Sequence, residues 1–160
     1  MAIDIASLAD MISIPGVAYA QVTTEDQVTQ FAQTAASGYG FCDEGLPIFQ
    51  QIAAGGCLPP SPEAPYHLAY LDGRPVATCV TCLYSGVAGL YIISTIPEAR
   101  GRGIGGQITR YALLNARSLG YRVGVLQASA MGFPVYRRLG FEQYATYHEY
   151  SWPPTAGGHA

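Results

Sequence analysis

This chain is poor in charge. Asp, Glu, Lys and Arg make up 12% of its 160 residues, about half the roughly 25% of an ordinary soluble domain. Apolar residues make up 49%. That balance excludes a disordered chain. It leaves two explanations for the missing charge, a large buried sheet or an apolar surface covered in a homodimer. Positive charge is also in deficit, with a formal net charge of −3. No overall basic field is present to attract nucleic acid. No apolar run approaches the roughly 18–20 residues of a membrane span. The opening "MAIDIASLADMISIPG" has Asp4 and Asp10 but no early Lys or Arg, so it does not read as a secretory signal and a cytoplasmic location is expected. Cysteine is sparse: Cys42, Cys57, Cys79 and Cys82. Cys79 and Cys82 form C-x-x-C on a strand-like segment, where an offset of three sends side chains to opposite faces. No second pair follows, so free thiols are expected and no metal site.

What is present reads as one mixed α/β domain over 1–160, with 1–15 as an N-terminal extension and 152–160 as a flexible tail. Residues 4–12 suggest a short helix. "VAYAQVT" (17–23) reads as a strand. Thr24 with Gln27 spells a capping box before a helix that places Val28, Phe31, Ala32 and Ala35 on one face. "LPIFQQIAA" (46–54) reads as a second helix, and "CLPPSPEAP" as a loop. The strands "YHLAYL" and "RPVATCVTCLY" flank Asp72-Gly73, a hairpin signal. Residues 87–96, apolar on both faces, belong in the sheet centre. A helix from Gly103 follows, with Ile104, Ile108, Tyr111, Ala112, Asn115 and Leu119 on one face and Arg110 and Arg117 on another. The reading ends with a buried strand (122–128), a short helix "FPVYRRL" and a final strand over 142–152. The order is β-α-α-β-β-β-α-β-α-β.

The stretch "IPEARGRGIGGQITRYALL" (96–114) carries the chemistry. Gly101, Gly103 and Gly106 spell G-x-G-x-x-G, the dinucleotide fingerprint. Its context is wrong. Pro97-Glu98-Ala99 separate it from the preceding strand, no acid lies about 20 residues on, and too little chain follows for the rest of such a domain. A P-loop is excluded because no Gly-Lys-Ser/Thr occurs. Four glycines in residues 101–106 at a helix start still favour an anion: the backbone can curl around it, and the first helical N–H groups point outward with partial positive charge.

"TIPEARGRGIGGQITRYAL" resembles the acetyl-CoA motif of the GNAT superfamily of N-acetyltransferases, and "SAMGFPVYRRLGF" (129–141) is similar to its second signature. The resemblance covers the C-terminal half; the N-terminal half agrees only in pattern. It implies an acetyl-CoA-dependent N-acetyltransferase with the superfamily's fold. The backbone of Ile93, Ser94 and Thr95 would pair with the pantetheine arm, in a wedge between strands 87–96 and 122–128. Arg100, Gly101, Arg102, Gly103, Ile104, Gly105 and Gly106 would form the pyrophosphate site, with Arg102 best placed for an ionic contact. Tyr136 would be the general acid, and Ser129 would stand where relatives often have an Asn touching CoA.

The departures are as telling. Positions that in many relatives carry a basic carboxylate are here Gly89 and Gly124. Asp43, Glu44 and His67 are the other candidates for a base. The resemblance implies a primary amine acceptor, a small molecule or a peptide, and Asp43, Glu44 and Glu63 suggest a cationic one. An acyl-CoA-binding domain without efficient catalysis is the rival reading. Transfer to a hydroxyl or of a longer acyl chain is a third. One terminal strand fewer than in the superfamily leaves an edge for a partner chain.

Overall fold

A computed structural model describes residues 1–41, 61–148 and 150. Six strands form one sheet: β1 (Ala2–Asp4), β2 (Val17–Gln21), β3 (Tyr66–Leu71), β4 (Arg74–Tyr84), β5 (Val87–Thr95) and β6 (Val123–Leu126). Their spatial order is β1-β6-β5-β4-β3-β2. Neighbours are antiparallel except β5 and β6, which are parallel. The chain turns between β3 and β4 at Asp72-Gly73, with φ of 50° and 80°. Both values lie in the left-handed region that two-residue hairpins require. The mixed α/β class matches the expectation.

Three helices lie among the described residues: α1 (Glu25–Tyr39), α2 (Ile104–Ser118) and α3 (Phe133–Leu139). The predicted capping box is present, with Gln27 N–H donating to Thr24 Oγ1 and Thr24 N–H to Gln27 Oε1. α1 buries Phe31, Ala32 and Ala35 against Tyr66, Leu68 and Val80 on one sheet face. α2 buries Ile104, Ile108 and Ala112 on the other, with Ala77, Cys79 and Leu90. Strand alternation therefore separates the two described thiols as predicted: Cys79 faces the α2 side and Cys82 packs on the α1 side. Cys42, Cys57 and the predicted helix 46–54 lie outside the described residues.

Two expectations fail. The first 15 residues are neither an extension nor a helix over 4–12. Ala2–Asp4 pairs with β6, a single 3-10 turn spans Ile5–Ser7, and the chain then runs along α2. Three α2 side chains hold it there by backbone groups. Gln107 Oε1 accepts from Ile12 N–H at 2.9 Å, Arg110 donates to the Asp10 carbonyl at 3.0 Å, and Arg117 donates to the Leu8 carbonyl at 3.1 Å. Arg110, assigned above to a polar face, is thus buried. The second failure is the strand predicted over 142–152, which is absent from its described residues 142–148. Glu142 makes one bridge to Ala2, and residues 143–148 form no ladder. β6 already has β5 on one side and β1 on the other, so Glu142 meets the sheet at the outer side of β1 instead.

Candidate active site

β5 and β6 pair in register from Val87↔Val123 to Leu90↔Leu126, and there the ladder stops. β5 runs on to Thr95 with β4 as its only sheet neighbour among the described residues. Tyr91 to Thr95 therefore present main-chain donors and acceptors to a gap on the β6 side, the kind of edge that an extended ligand pairs with. The predicted residues Ile93, Ser94 and Thr95 lie on this free length.

A bulge shapes it. Thr78 pairs with Ser94 and Val80 with Tyr91, so β5 carries one extra residue across that step. Ile92 takes up the irregularity at φ 48°, a conformation a β-branched residue adopts only under constraint. Thr78 supplies the constraint: its hydroxyl lies 2.8 Å from the Ile92 carbonyl and 2.8 Å from Ser94 Oγ. The Ser94 hydroxyl is buried in this network. Nothing in the sequence marks Thr78 for this role.

Past Thr95 the chain turns through Pro97–Ala99 into the glycines. Gly101 and Gly103 both sit at positive φ, 76° and 80°. Gly103 is the N-cap of α2 and offers no capping side chain. The first helical N–H groups, at Ile104, Gly105 and Gly106, have no intrahelical partner by construction. Gly105 faces β5 closely: a Cβ there would lie 3.1 Å from Thr95 Oγ1. Cradle and free strand are thus adjoining. Of the two predicted arginines, Arg102 is exposed. Arg100 donates from Nε to the Thr95 carbonyl at 3.0 Å and from Nη2 to the Gly38 carbonyl at 2.8 Å. Its guanidinium ties the end of α1 to the end of β5. Gly38 permits the approach, since a Cβ there would meet Ser94 Oγ at 2.5 Å. Ser129 is exposed, and its hydroxyl accepts from Gly132 N–H at 3.2 Å in the turn that starts α3.

Tyr136 is 8% exposed, inside the core that also holds Leu90, Leu126 and Cys79. Burial pushes its phenol well above the ordinary value, and the Cys79 thiol and the Tyr39 phenol add to the rise. Those neighbours locate it. Cys79 lies on β4 opposite the bulge and Tyr39 ends α1, so Tyr136 stands beside the free length of β5. At neutral pH it holds its proton.

The candidate bases fare differently. Gly124 is packed: a Cβ there would lie 2.7 Å from Leu113 Cδ2 and 3.0 Å from Ile3 Cγ2. His67 is fully buried on β3, with Nε2 3.1 Å from Thr81 Oγ1, and burial lowers its pKa to about 4. It lines a cleft of about 640 Å³, together with Thr81, Asn115 and Leu119. That cleft opens at the end of α2 remote from the glycines, and none of the predicted donor-site residues lines it. Asp43 and Glu44 lie outside the described residues. Among the described residues no group of three His, Cys, Asp or Glu side chains could hold a metal ion, and no helix is long and apolar enough to cross a membrane.

Comparison with known proteins agrees with this geometry. The acetyltransferase (GNAT) domain family matches residues 62–143. No protein of curated function matches the sequence. Among solved structures, a GCN5-related N-acetyltransferase from Kribbella flavida superposes with a TM-score of 0.68 at 24% identity, over 88% of this chain and 52% of the other. This chain therefore spans about half the length of that relative. A GCN5-related N-acetyltransferase from Ralstonia eutropha JMP134 gives 0.64 at 18% identity, over 89% and 100%. A predicted acetyltransferase from Clostridium acetobutylicum, solved with acetyl-CoA, gives 0.59 at 18% identity, over 84% and 96%. These likenesses are of fold. With the domain family matched over half of its length, a free strand edge and a glycine cradle side by side, this chain belongs to the GNAT acetyltransferases, a family that uses acetyl-CoA.

Proposed function

We propose that the chain, as one domain over 1–160, transfers an acetyl group from acetyl-CoA to a primary amine, with Tyr136 as the general acid. The observation that carries this reading is the length Tyr91–Thr95 of β5, which has no partner on its β6 side and lies beside both the cradle and Tyr136. Acetyl-CoA would supply an acetyl thioester. Main-chain groups of Ile93, Ser94 and Thr95 would hold the pantetheine arm. Gly101 and Gly103–Gly106 would hold the pyrophosphate by backbone N–H groups, with Arg102 adding charge. Arg100 would contribute through its backbone and its staple, its guanidinium being engaged. A β5 amide near the bulge would polarise the thioester carbonyl. The amine nitrogen forms the new C–N bond as the C–S bond breaks. Tyr136 Oη gives its proton to the departing thiolate, and the proton shed by nitrogen leaves to water, from which Tyr136 is recharged.

Tyr136→Phe keeps the ring and removes the proton. Turnover should fall by about 10²–10⁴-fold with acetyl-CoA affinity little changed; near-normal turnover would sink the assignment. Gly89 and Gly124 favour one rival, a domain that binds acyl-CoA without efficient transfer. CoA release across a panel of amines separates the two readings. A protein that is silent there but stabilised by acetyl-CoA would favour the rival.

A further inference from the structure

We infer that Tyr91 is the acceptor-binding residue of this site, its phenol taking the place that Gly89 leaves without a side chain. This rests on the transferase reading above. Tyr91 is the first residue of β5 beyond its last partner on β6, Leu90↔Leu126. Alternation puts Gly89 and Tyr91 on the α1 face, while Ala88 and Leu90 face the opposite core. That core includes Leu126 and Tyr136 and closes the gap from the α2 side. On the α1 side Tyr91 stays 46% exposed. Its ring is thus open to a molecule that approaches the gap from that side.

Gly89 and Tyr91 are a matched pair. A Cβ on Gly89 would lie 2.9 Å from Tyr91 Cε2 and 3.2 Å from its hydroxyl oxygen, nearer to the ring carbon than van der Waals contact permits. Gly89 is not among the glycines at positive φ, so its backbone does not demand glycine. The ring does. It lies back along the strand and brings the hydroxyl over Gly89 instead of into solvent. The Ile92 irregularity directly follows, fixed by Thr78, so the strand direction at Tyr91 is set by a costly local geometry. A phenol here would accept a hydrogen bond from an amine N–H and turn the nitrogen lone pair toward the gap. It would orient the amine without deprotonating it. The competing account is that the ring only shields a sheet glycine.

The test measures CoA release from acetyl-CoA with phenethylamine, spermidine and glucosamine, for the wild type, Tyr91→Phe and Gly89→Ala. Tyr91→Phe should lower kcat/KM for the best amine about tenfold, the loss of one neutral hydrogen bond. Acetyl-CoA affinity and Tm should hold. Gly89→Ala, which displaces the ring, should act in the same direction. A Tyr91→Phe value within about twofold of wild type overturns the assignment and leaves the transferase reading intact. A wild type that binds acetyl-CoA but uses none of the amines also overturns it, because no acceptor is then held. A wild type that neither binds acetyl-CoA nor releases CoA overturns both.

Discussion

Acid should weaken this fold through one side chain. His67 is neutral in the native state, because burial lowers its pKa from 6.5 to about 4. The unfolded chain takes up that proton near pH 6.5. Between those values the unfolded state binds more protons, so stability falls as pH falls. Above pH 6.5 both states are neutral and the contribution is complete; by pH 4 it is lost. At about 1.36 kcal/mol per pH unit, the interval is worth about 3 kcal/mol. That is a large share of the roughly 5–15 kcal/mol holding a typical domain. Carboxylates titrate over the same range, so the measurement is comparative: urea unfolding of wild type and His67→Gln at pH 7.5 and pH 4.5. The amide keeps a polar partner for Thr81 and does not titrate. The wild type should lose about 2–3 kcal/mol more than the variant on acidification. Equal losses would mean that His67 is charged or solvated in the folded protein, and would refute the reasoning.

Two further perturbations test other parts of the framework. Gly124→Ala drives a methyl group to 2.7 Å from Leu113 Cδ2 and 3.0 Å from Ile3 Cγ2; overpacking of this kind costs about 1–3 kcal/mol, and thermal unfolding should shift down by about 2–4 °C per kcal/mol. An unchanged Tm would mean that α2 and β1 yield freely. Arg100→Ala removes both bonds between α1 and β5 and should speed amide exchange in the last turn of α1. Arg100→Lys should restore only part of the protection, because an ammonium lacks the fork that spans two carbonyls. If acetyl-CoA affinity collapses while exchange stays the same, the Arg100 side chain is a phosphate ligand.

Local chemistry was legible, and distant pairing was not. Thr24-x-x-Gln27 and Asp72-Gly73 announce themselves because the groups that bond are adjacent in sequence. The glycines of 101–106 likewise state their geometry directly, and with "FPVYRRLGF" they identified the family. The N-terminal strand carries no such signal. Its three residues pair with β6 through the backbone, and the segment after it is held by carbonyls that Arg110 and Arg117 reach across 100 and 109 positions. An arginine bound to a main-chain oxygen looks in sequence like any surface arginine. The alternating pattern that begins at Glu142 misled in the opposite sense: it meets the sheet only at Ala2, on the outer side of the three-residue edge strand β1, and the described residues after it do not continue the pairing. The bulge at Ile92 was unreadable because a β-branched residue gives no hint of a left-handed φ. Tyr91 carries no mark in the sequence, because only the fold lays its ring over Gly89.

The placement of β1 also sets a timetable. Ala2–Asp4 is made well before its partner Val123–Val125. At roughly 5–20 residues per second on the ribosome, those residues wait on the order of ten seconds for a strand to join. The strap along α2 waits nearly as long. β2 through β5 can gather before β6 is available, and β6 then completes the sheet by recruiting a segment from far earlier in the sequence. Such non-local closure is slow.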